Sequence, residues 1–190
     1  MANFEVIAAV SDTMKAVLKD ALTTSIPTAA VEFLDVDAPP ATETLTIFLF
    51  EVGEDPSARN HARVRETEPP NMKIRKPPMA LLLRYMMTAW GGDQLTQQKI
   101  LGRTLQALYD KPILSGIDLQ GVLQNTDETL KVTLSSLNLE ERTRVWQSVQ
   151  KPYHLSIYYE VRVVNLDSAE GISMKPVTRR TAEFDGLENS

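Results

Sequence analysis

The sequence predicts an α/β (α+β) protein with a single domain, in which a mixed, mostly antiparallel sheet of about five strands packs with about three helices. Apolar residues recur at helical spacing in three windows and form short, strand-like runs in five others. The two kinds of window interleave, and short connections between strands favour antiparallel pairing. With 190 residues, 43% of them hydrophobic, the chain is long enough to bury one core.

The predicted helices span residues 4–22, 94–110 and 139–150. Pro27 follows the first helix and ends it. Asp93 is placed to cap the second helix, and Asn138 and Glu141 have the spacing of a capping box at the start of the third. The buried stripe of the second helix is predicted to consist of Leu95, Leu101, Leu105 and Leu108.

The predicted strands span residues 29–36, 44–52, 79–90, 129–137 and 153–163. The second and third of these are apolar on both faces, which is typical of central strands that are covered on both sides. The fourth has one polar face. The last alternates strictly, so that Leu155, Ile157, Tyr159, Val161 and Val163 point one way and His154, Ser156, Tyr158, Glu160 and Arg162 point the other.

Two segments lack such patterns. Residues 53–78 hold five prolines and few large apolar residues, which predicts a long loop. Residues 168–190 turn polar and are interpreted as a weakly ordered tail. The predicted organisation is therefore one domain over 1–167, with the long loop inside it, followed by the tail.

The composition excludes several classes of protein. The chain has no cysteine, which rules out a disulfide framework, thiol catalysis and thiolate metal sites. Its net charge of −5 argues against bulk nucleic-acid binding, for which a basic domain is typical. The first residues lack the basic leader of a signal peptide, and no run approaches the roughly 18 apolar residues of a membrane span. We therefore expect synthesis in the cytoplasm and no membrane insertion.

Few residues suggest chemistry. His61 and His154 have no ligand-like spacing to a carboxylate, so both are interpreted as solvated side chains. The sequence GGD at 91–93 could cradle an anion, but a turn with the aspartate as helix cap is the simpler interpretation. Trp90 and Trp146 fall within apolar elements, which favours core packing over stacking on a ligand. These residues indicate no catalytic site, no cofactor and no metal.

One cluster of charge lies within the predicted loop. Six basic residues and one histidine fall within eighteen residues, tempered by Glu66 and Glu68; they are Arg59, His61, Arg63, Arg65, Lys73, Arg75 and Lys76. Three interpretations remain open: the loop binds phosphate, it docks on an acidic protein surface, or it is simply solvated. The lack of interleaved aromatic residues argues against stacking on nucleic-acid bases.

Five blocks occur in order and with matching spacing: FEVIAAVSDTMKAVL, IFLFEVGEDPSARN, KPPMALLLRYMMTAW, ILGRTLQALYDKPIL and LEERTRVWQSVQKPYHLSIYYEVRVVNLDS. Together they resemble the cap, or tail-terminator, protein of extracellular contractile injection systems of the Photorhabdus virulence cassette and antifeeding-prophage type, in its N-terminal domain. The resemblance covers about residues 3–167. The chain departs from the family pattern at residues 81–83, which are all leucine where relatives usually carry an acidic or polar residue.

The resemblance implies a structural protein and not an enzyme. It implies a ring of six copies, a homohexamer, on the end of the inner tube and sheath that lies away from the baseplate. The ring would stop polymerisation and hold the extended sheath, with the tube protein and the sheath protein as partners. No cofactor, nucleic acid or membrane insertion is implied. Assembly would take place in the cytoplasm, before the particle is released by lysis or anchored to a membrane.

Under this interpretation, the basic loop would reach the tube or sheath, where opposite charge aids docking. The polar face of the last strand would lie near a subunit boundary or remain an ordinary wet sheet face, and the tail would add a strand to a neighbour. The predicted partner-binding residues are Arg59, Asn60, Arg63, Arg65, Lys73, Arg75, Lys76, Tyr158 and Arg162. The alternative function is a ligand- or nucleic-acid-binding module that uses the loop 59–76; a hydrolase with an unrecognised site ranks last.

Overall fold

The computed structural model describes residues 4–58, 64–68, 71–75, 78–166 and 171–174. The helices in these ranges are α1 (Val6–Ser25), α2 (Gln94–Asp110) and α3 (Leu139–Ser148). The strands are β1 (Ala30–Phe33), β2 (Thr44–Glu54), β3 (Val64–Glu68), β4 (Asn71–Arg75), β5 (Met79–Trp90), β6 (Ile113–Ser115), β7 (Thr129–Leu134), β8 (Ser156–Leu166) and β9 (Gly171–Met174). Among the described residues, no helix is long and apolar enough to cross a membrane.

Six strands form one large sheet in the order β1-β2-β5-β8-β7-β6. β1 runs parallel to β2, and the remaining four pairs of neighbouring strands are all antiparallel. This confirms the predicted mixed, mostly antiparallel sheet packed with three helices. The strand count is six and not about five, because β6 has only three residues. So short a strand shows no alternation in the sequence, and its pairing with β7 defines it.

Local signals in the sequence set the starts of two helices. The Oδ1 of Asp93 accepts a hydrogen bond from the N–H of Thr96 at 2.7 Å, which confirms the predicted cap of α2. Asn138 and Glu141 form the predicted capping box, in which each side chain accepts from the backbone N–H of the other, at 2.9 and 2.8 Å. Both helices therefore begin where the side chains satisfy free backbone N–H groups.

The main core lies between α1, α2 and one face of the large sheet. Leu101 and Leu108 of α2 are buried there, but the prediction that Leu95 joins them is wrong, since its side chain is 63% exposed. An α-helix turns about 100° per residue, so Leu95 lies roughly 120° around α2 from Leu101. Ile100, which is fully buried, faces the core in its place.

The prediction of a long loop over 53–78 is wrong for the residues that strands occupy. β2 continues to Glu54, and β3 and β4 pair as an antiparallel hairpin within the segment. β9, inside the predicted tail, pairs with β4 and completes a second sheet of three strands. The prolines misled the prediction, because one pair lies between the two strands and the other after them, where strands tolerate proline. The rest of the predicted tail lies outside the described residues.

Candidate interaction surface

Strand β8 divides its residues between the two faces of the large sheet. Tyr159 and Val161 are buried in the main core beside α1 and α2. The residues that alternate with them belong to the opposite face, here called the outer face; they are Ser156, Tyr158, Glu160 and Arg162. The sequence places this polar face near a subunit boundary or in solvent. The structure divides it into a half that α3 covers and a half that is open.

The covered half of the outer face is a buried aromatic cluster. Trp146 of α3 is 1% exposed and packs with Met86 and Tyr158. The ring of Tyr158 meets Phe50 edge-on at 5.9 Å, and the guanidinium of Arg142 lies 5.7 Å from its centre. Burial raises the pKa of Tyr158 to about 12. The prediction that Tyr158 contacts a partner is wrong for the folded chain, because the cluster under α3 already buries this side chain.

His154 also packs in this region and is not the solvated side chain that the sequence predicts. Its ring stacks on Trp90, with ring centres 4.8 Å apart and planes 3° apart, and its Nε2 lies 3.0 Å from the carbonyl oxygen of Ala89. Trp146 meets Trp90 edge-on at 6.1 Å. The interpretation of both tryptophans as packing residues is therefore confirmed. His61 lies outside the described residues.

A ladder of charges crosses the open half of the outer face. Arg84, on β5, donates from Nε to Glu160 at 3.1 Å and from a terminal nitrogen to Glu51 at 2.9 Å. The two carboxylates come from β8 and β2, the strands on either side of β5. The hydrogen bond to Glu51 raises the pKa of the Arg84 guanidinium. With its side chain 30% exposed, Arg84 is held in place and still reaches the surface.

Arg162 lies on the same face, towards the end of β8. Its Nε is 3.8 Å from Oδ2 of Asp55, and its side chain is 45% exposed. Ser57 donates its hydroxyl and its backbone N–H to Oδ1 of Asp55, at 2.7 and 2.9 Å, and these bonds hold the pKa of Asp55 below its usual range. Lys131 of β7 pairs in register with Arg162. Arg162 is accessible, and its contact with a partner stays a prediction.

Three of the predicted basic residues lie on the small sheet. Arg65 belongs to β3, and Lys73 and Arg75 belong to β4. Arg59, Asn60, Arg63 and Lys76 lie outside the described residues. β2 ends, β5 begins and β8 ends at one end of the large sheet, as the pairing of Glu54 with Leu81 and of Met79 with Leu166 shows. The small sheet, formed by β3, β4 and β9, is therefore connected to the large sheet at this end. Arg162 lies four residues before the last residue of β8, Leu166, at the same end.

The sequence places Glu160 on the polar face of the last strand but does not connect it with Glu51 and Arg84. Each is a charged residue within a largely apolar strand, and that contrast is the one signal by which they could have been found. Only the register of β2, β5 and β8 brings them together. In the part of the chain that the structure describes, no group of three or more His, Asp or Glu side chains gathers to hold a metal ion.

Comparisons with known proteins identify one family by sequence and two solved structures of similar fold. The model of the Pvc16 N-terminal domain matches residues 6–180. The fold matches the PVC sheath/tube terminator of an extracellular contractile injection system in its extended state, with a TM-score of 0.70 and 21% identity. It also matches the tube-terminating cap of the anti-feeding prophage, with a TM-score of 0.64 and 18% identity. The matches cover 99% and 97% of this chain but only 66% and 62% of those chains. No curated protein matches the sequence significantly.

Proposed function

The chain belongs to the family of the Pvc16 N-terminal domain, and from this membership we propose that it is the structural cap, or tail terminator, of a contractile injection system. It forms a ring on the end of the inner tube and sheath that lies away from the baseplate. There it ends polymerisation and holds the extended sheath until the particle fires.

One observation carries this proposal. The likeness to a sheath/tube terminator extends over 99% of the chain, so it involves the whole architecture and not a single motif. The second match, a tube-terminating cap, points the same way. Neither structure is named for binding a nucleic acid or a small ligand, so the alternative function for the segment 59–76 has no support.

A cap of this kind needs no catalytic residue. It must cover a finished polymer end without presenting a copy of that end, and a closed ring of identical subunits meets this requirement. The ring has six copies and assembles in the cytoplasm from a chain that inserts into no membrane. Its partners are other copies of itself, the tube protein and the sheath protein.

The distribution of charge favours a docking role for the segment 59–76. It holds six Lys and Arg and two Glu, which gives a net charge of +4. Because the whole chain has a net charge of −5, the residues outside this segment have a net charge of −9. A basic segment on an acidic body docks on acidic surfaces and sets the orientation of the encounter. The basic residues of this segment and the exposed Arg162 are therefore the proposed contacts to tube or sheath.

Deletion of the gene tests the function. In electron micrographs of particles from the deletion strain, we expect tubes of uncontrolled length or sheaths that do not stay extended. Restoring the wild-type gene must return both to normal. Particles of normal, uniform length with an occupied end would contradict the proposal.

A further inference from the structure

An open apolar groove of about 550 Å³ lies beside α2 at one edge of the large sheet. Tyr109 is 86% exposed and Leu134 is 55% exposed at this groove, and Lys131 of β7 is the charged residue beside it. The lining also includes Leu105, Leu108, Pro112, Val132 and Tyr159. So much exposed apolar surface at one place is typical of an interface.

The backbone at this edge is open as well. The N–H of Val132 donates away from β8, to the carbonyl oxygen of Pro112 at 2.8 Å. Alternate residues of a strand turn their backbone groups the same way, so the groups of Leu134 also point away from β8. β6 pairs with β7 only as far as Lys131, and Leu134 therefore lies beyond its reach. An added strand could pair with this part of β7.

The opposite edge of the sheet is β1. Ala30 and Leu34 donate their backbone N–H groups towards β2, to Glu43 and Ile47, both at 3.0 Å. By the same alternation, the backbone groups of Phe33 point away from the sheet. The Phe33 side chain is 43% exposed, with Nζ of Lys15 4.9 Å from its ring centre.

Each of the two edges carries an apolar residue on the inner face and a charged residue on the outer face. Phe33 pairs with Ile47 of the main core, and Leu134 pairs with Tyr159 of the same core, so both lie on the face that carries α1 and α2. Glu32 follows the opposite, outer face, and so does Lys131, which pairs with Arg162. Suppose that the β1 edge of one copy continues the sheet of another copy at β7. The Phe33 side chain would then meet the groove on one face, and Glu32 would meet Lys131 on the other.

We propose that the occupant of the groove is a second copy of this chain, which docks the edge of β1 against β7 so that Phe33 enters the groove and Glu32 faces Lys131. The inference rests on the proposed ring, because a closed ring with head-to-tail contacts needs two different, complementary surfaces on each subunit. The two edges of the large sheet supply them, and the contact covers backbone groups that would otherwise remain open.

Thiol cross-linking tests this contact, since the chain has no cysteine of its own. A variant with Phe33→Cys and Leu134→Cys replaces the wild-type gene in cells that build particles, and the particles are treated with a bismaleimide. We expect a ladder of covalent multimers that ends at the size of the ring. Each single-cysteine variant should give no ladder. The matched control is Ile117→Cys with Leu134→Cys, because Ile117 is 95% exposed and is not among the residues that line the groove.

Particle length, measured in the same samples, separates this inference from the proposed function. Uniform particles without a ladder would overturn the edge contact and leave the terminator function intact. A cross-link from the Leu134→Cys position to the tube or sheath protein would also overturn it, because the groove would then have another occupant. If the gene deletion leaves particle length unchanged, the function itself fails.

A charge exchange gives an independent measurement. Lys131→Glu and Glu32→Lys should each raise the fraction of particles with uncontrolled length, because like charges would then meet across the contact. The double variant should return that fraction towards the wild-type value. Harmless single variants, or a double variant as defective as the singles, would contradict the pairing of these two residues.

Discussion

At the residue scale, several side chains of the kind found in binding sites serve internal packing. His154 lies against Trp90, and Tyr158 is buried beneath α3. Tyr85 is fully buried, with its hydroxyl 2.9 Å from the hydroxyl of Ser11. Burial raises the pKa of Tyr85 to about 12, and it does the same for Tyr159. Burial therefore favours the neutral form of these tyrosine side chains.

We predict that the protein loses stability as the pH rises from about 10 to about 12. Tyrosine in an unfolded chain loses its proton near pH 10, whereas the pKa of Tyr85, Tyr158 and Tyr159 is about 12 in the folded chain. The folded state holds more protons in this range, so the free energy of unfolding falls as pH rises. Urea unfolding at a series of pH values measures the fall.

Single hydroxyl deletions provide the controls for that experiment. Tyr85→Phe should make the fall shallower, because it removes one of the buried phenols. Tyr109→Phe removes the same hydroxyl from a ring that is 86% exposed and should leave the slope as it is. A free energy of unfolding that stays constant up to pH 12 would contradict the prediction.

Arg84 offers a second test at this scale. The variant Arg84→Gln loses both ion pairs, so that no cation lies between Glu51 and Glu160. Because the three side chains are partly exposed, we expect a loss of only about 1 kcal/mol in the free energy of unfolding. The loss should shrink at high salt and in a Glu160→Gln background, as a double-mutant cycle would show. Equal losses in both backgrounds would mean that this pair is not coupled.

At the scale of elements, one turn and one helix show opposite demands on glycine. Gly91 directly follows β5 and has a φ of +68°, a conformation that residues other than glycine rarely adopt. A Cβ at this position would also overlap the backbone of Thr42 and Glu43. Gly102 lies inside α2, is exposed, and has open space where a Cβ would stand. The turn therefore requires glycine and the helix does not.

We predict opposite effects of alanine at these two positions. Gly91→Ala should destabilise the protein by more than about 2 kcal/mol, because it adds strain in φ to a backbone clash. Gly102→Ala should stabilise it by roughly 0.5–1 kcal/mol, since alanine loses less conformational entropy in a helix. Thermal and urea unfolding of both variants measure the difference. A harmless Gly91→Ala would show that the turn can take another form.

At the scale of the whole molecule, both faces of the large sheet are covered, but by different layers. α1 and α2 cover one face along the main core, and α3 covers only part of the other. The remaining outer face carries the charges of Glu51, Arg84, Glu160 and Arg162. This unequal covering leaves a polar surface for partners while the central strands stay buried.

Trp146 tests how much the smaller layer contributes. We expect Trp146→Ala to cost about 3–5 kcal/mol, because it opens a cavity beneath α3. Trp146→Phe should cost clearly less, since it keeps an aromatic ring that fills part of the same volume. Urea unfolding compares the two variants. If both variants lose the same free energy of unfolding, the indole itself stabilises the packing of α3, and the volume that it fills does not.

Local patterns in the sequence predicted much of this fold. The starts of α2 and α3 follow from Asp93, Asn138 and Glu141, whose side chains act on backbone groups only a few residues away. Five of the six strands of the large sheet follow from alternation or from apolar runs. The family resemblance came from ordered blocks of residues and agrees with the match over 6–180.

What the sequence could not supply depends on contacts between distant segments. Burial of Tyr158, the stack of His154 on Trp90 and the ladder through Arg84 each join residues more than 30 positions apart. The short strand β6 likewise depends on its pairing with β7, and the hairpin of β3 and β4 is joined by β9, which follows β8 in the chain. The sequence by itself determined the three helices, five strands of the large sheet and the family, because periodicity and caps act within a few residues. Only the tertiary structure decided which polar face is covered and which is open, because strand register and helix packing set that choice.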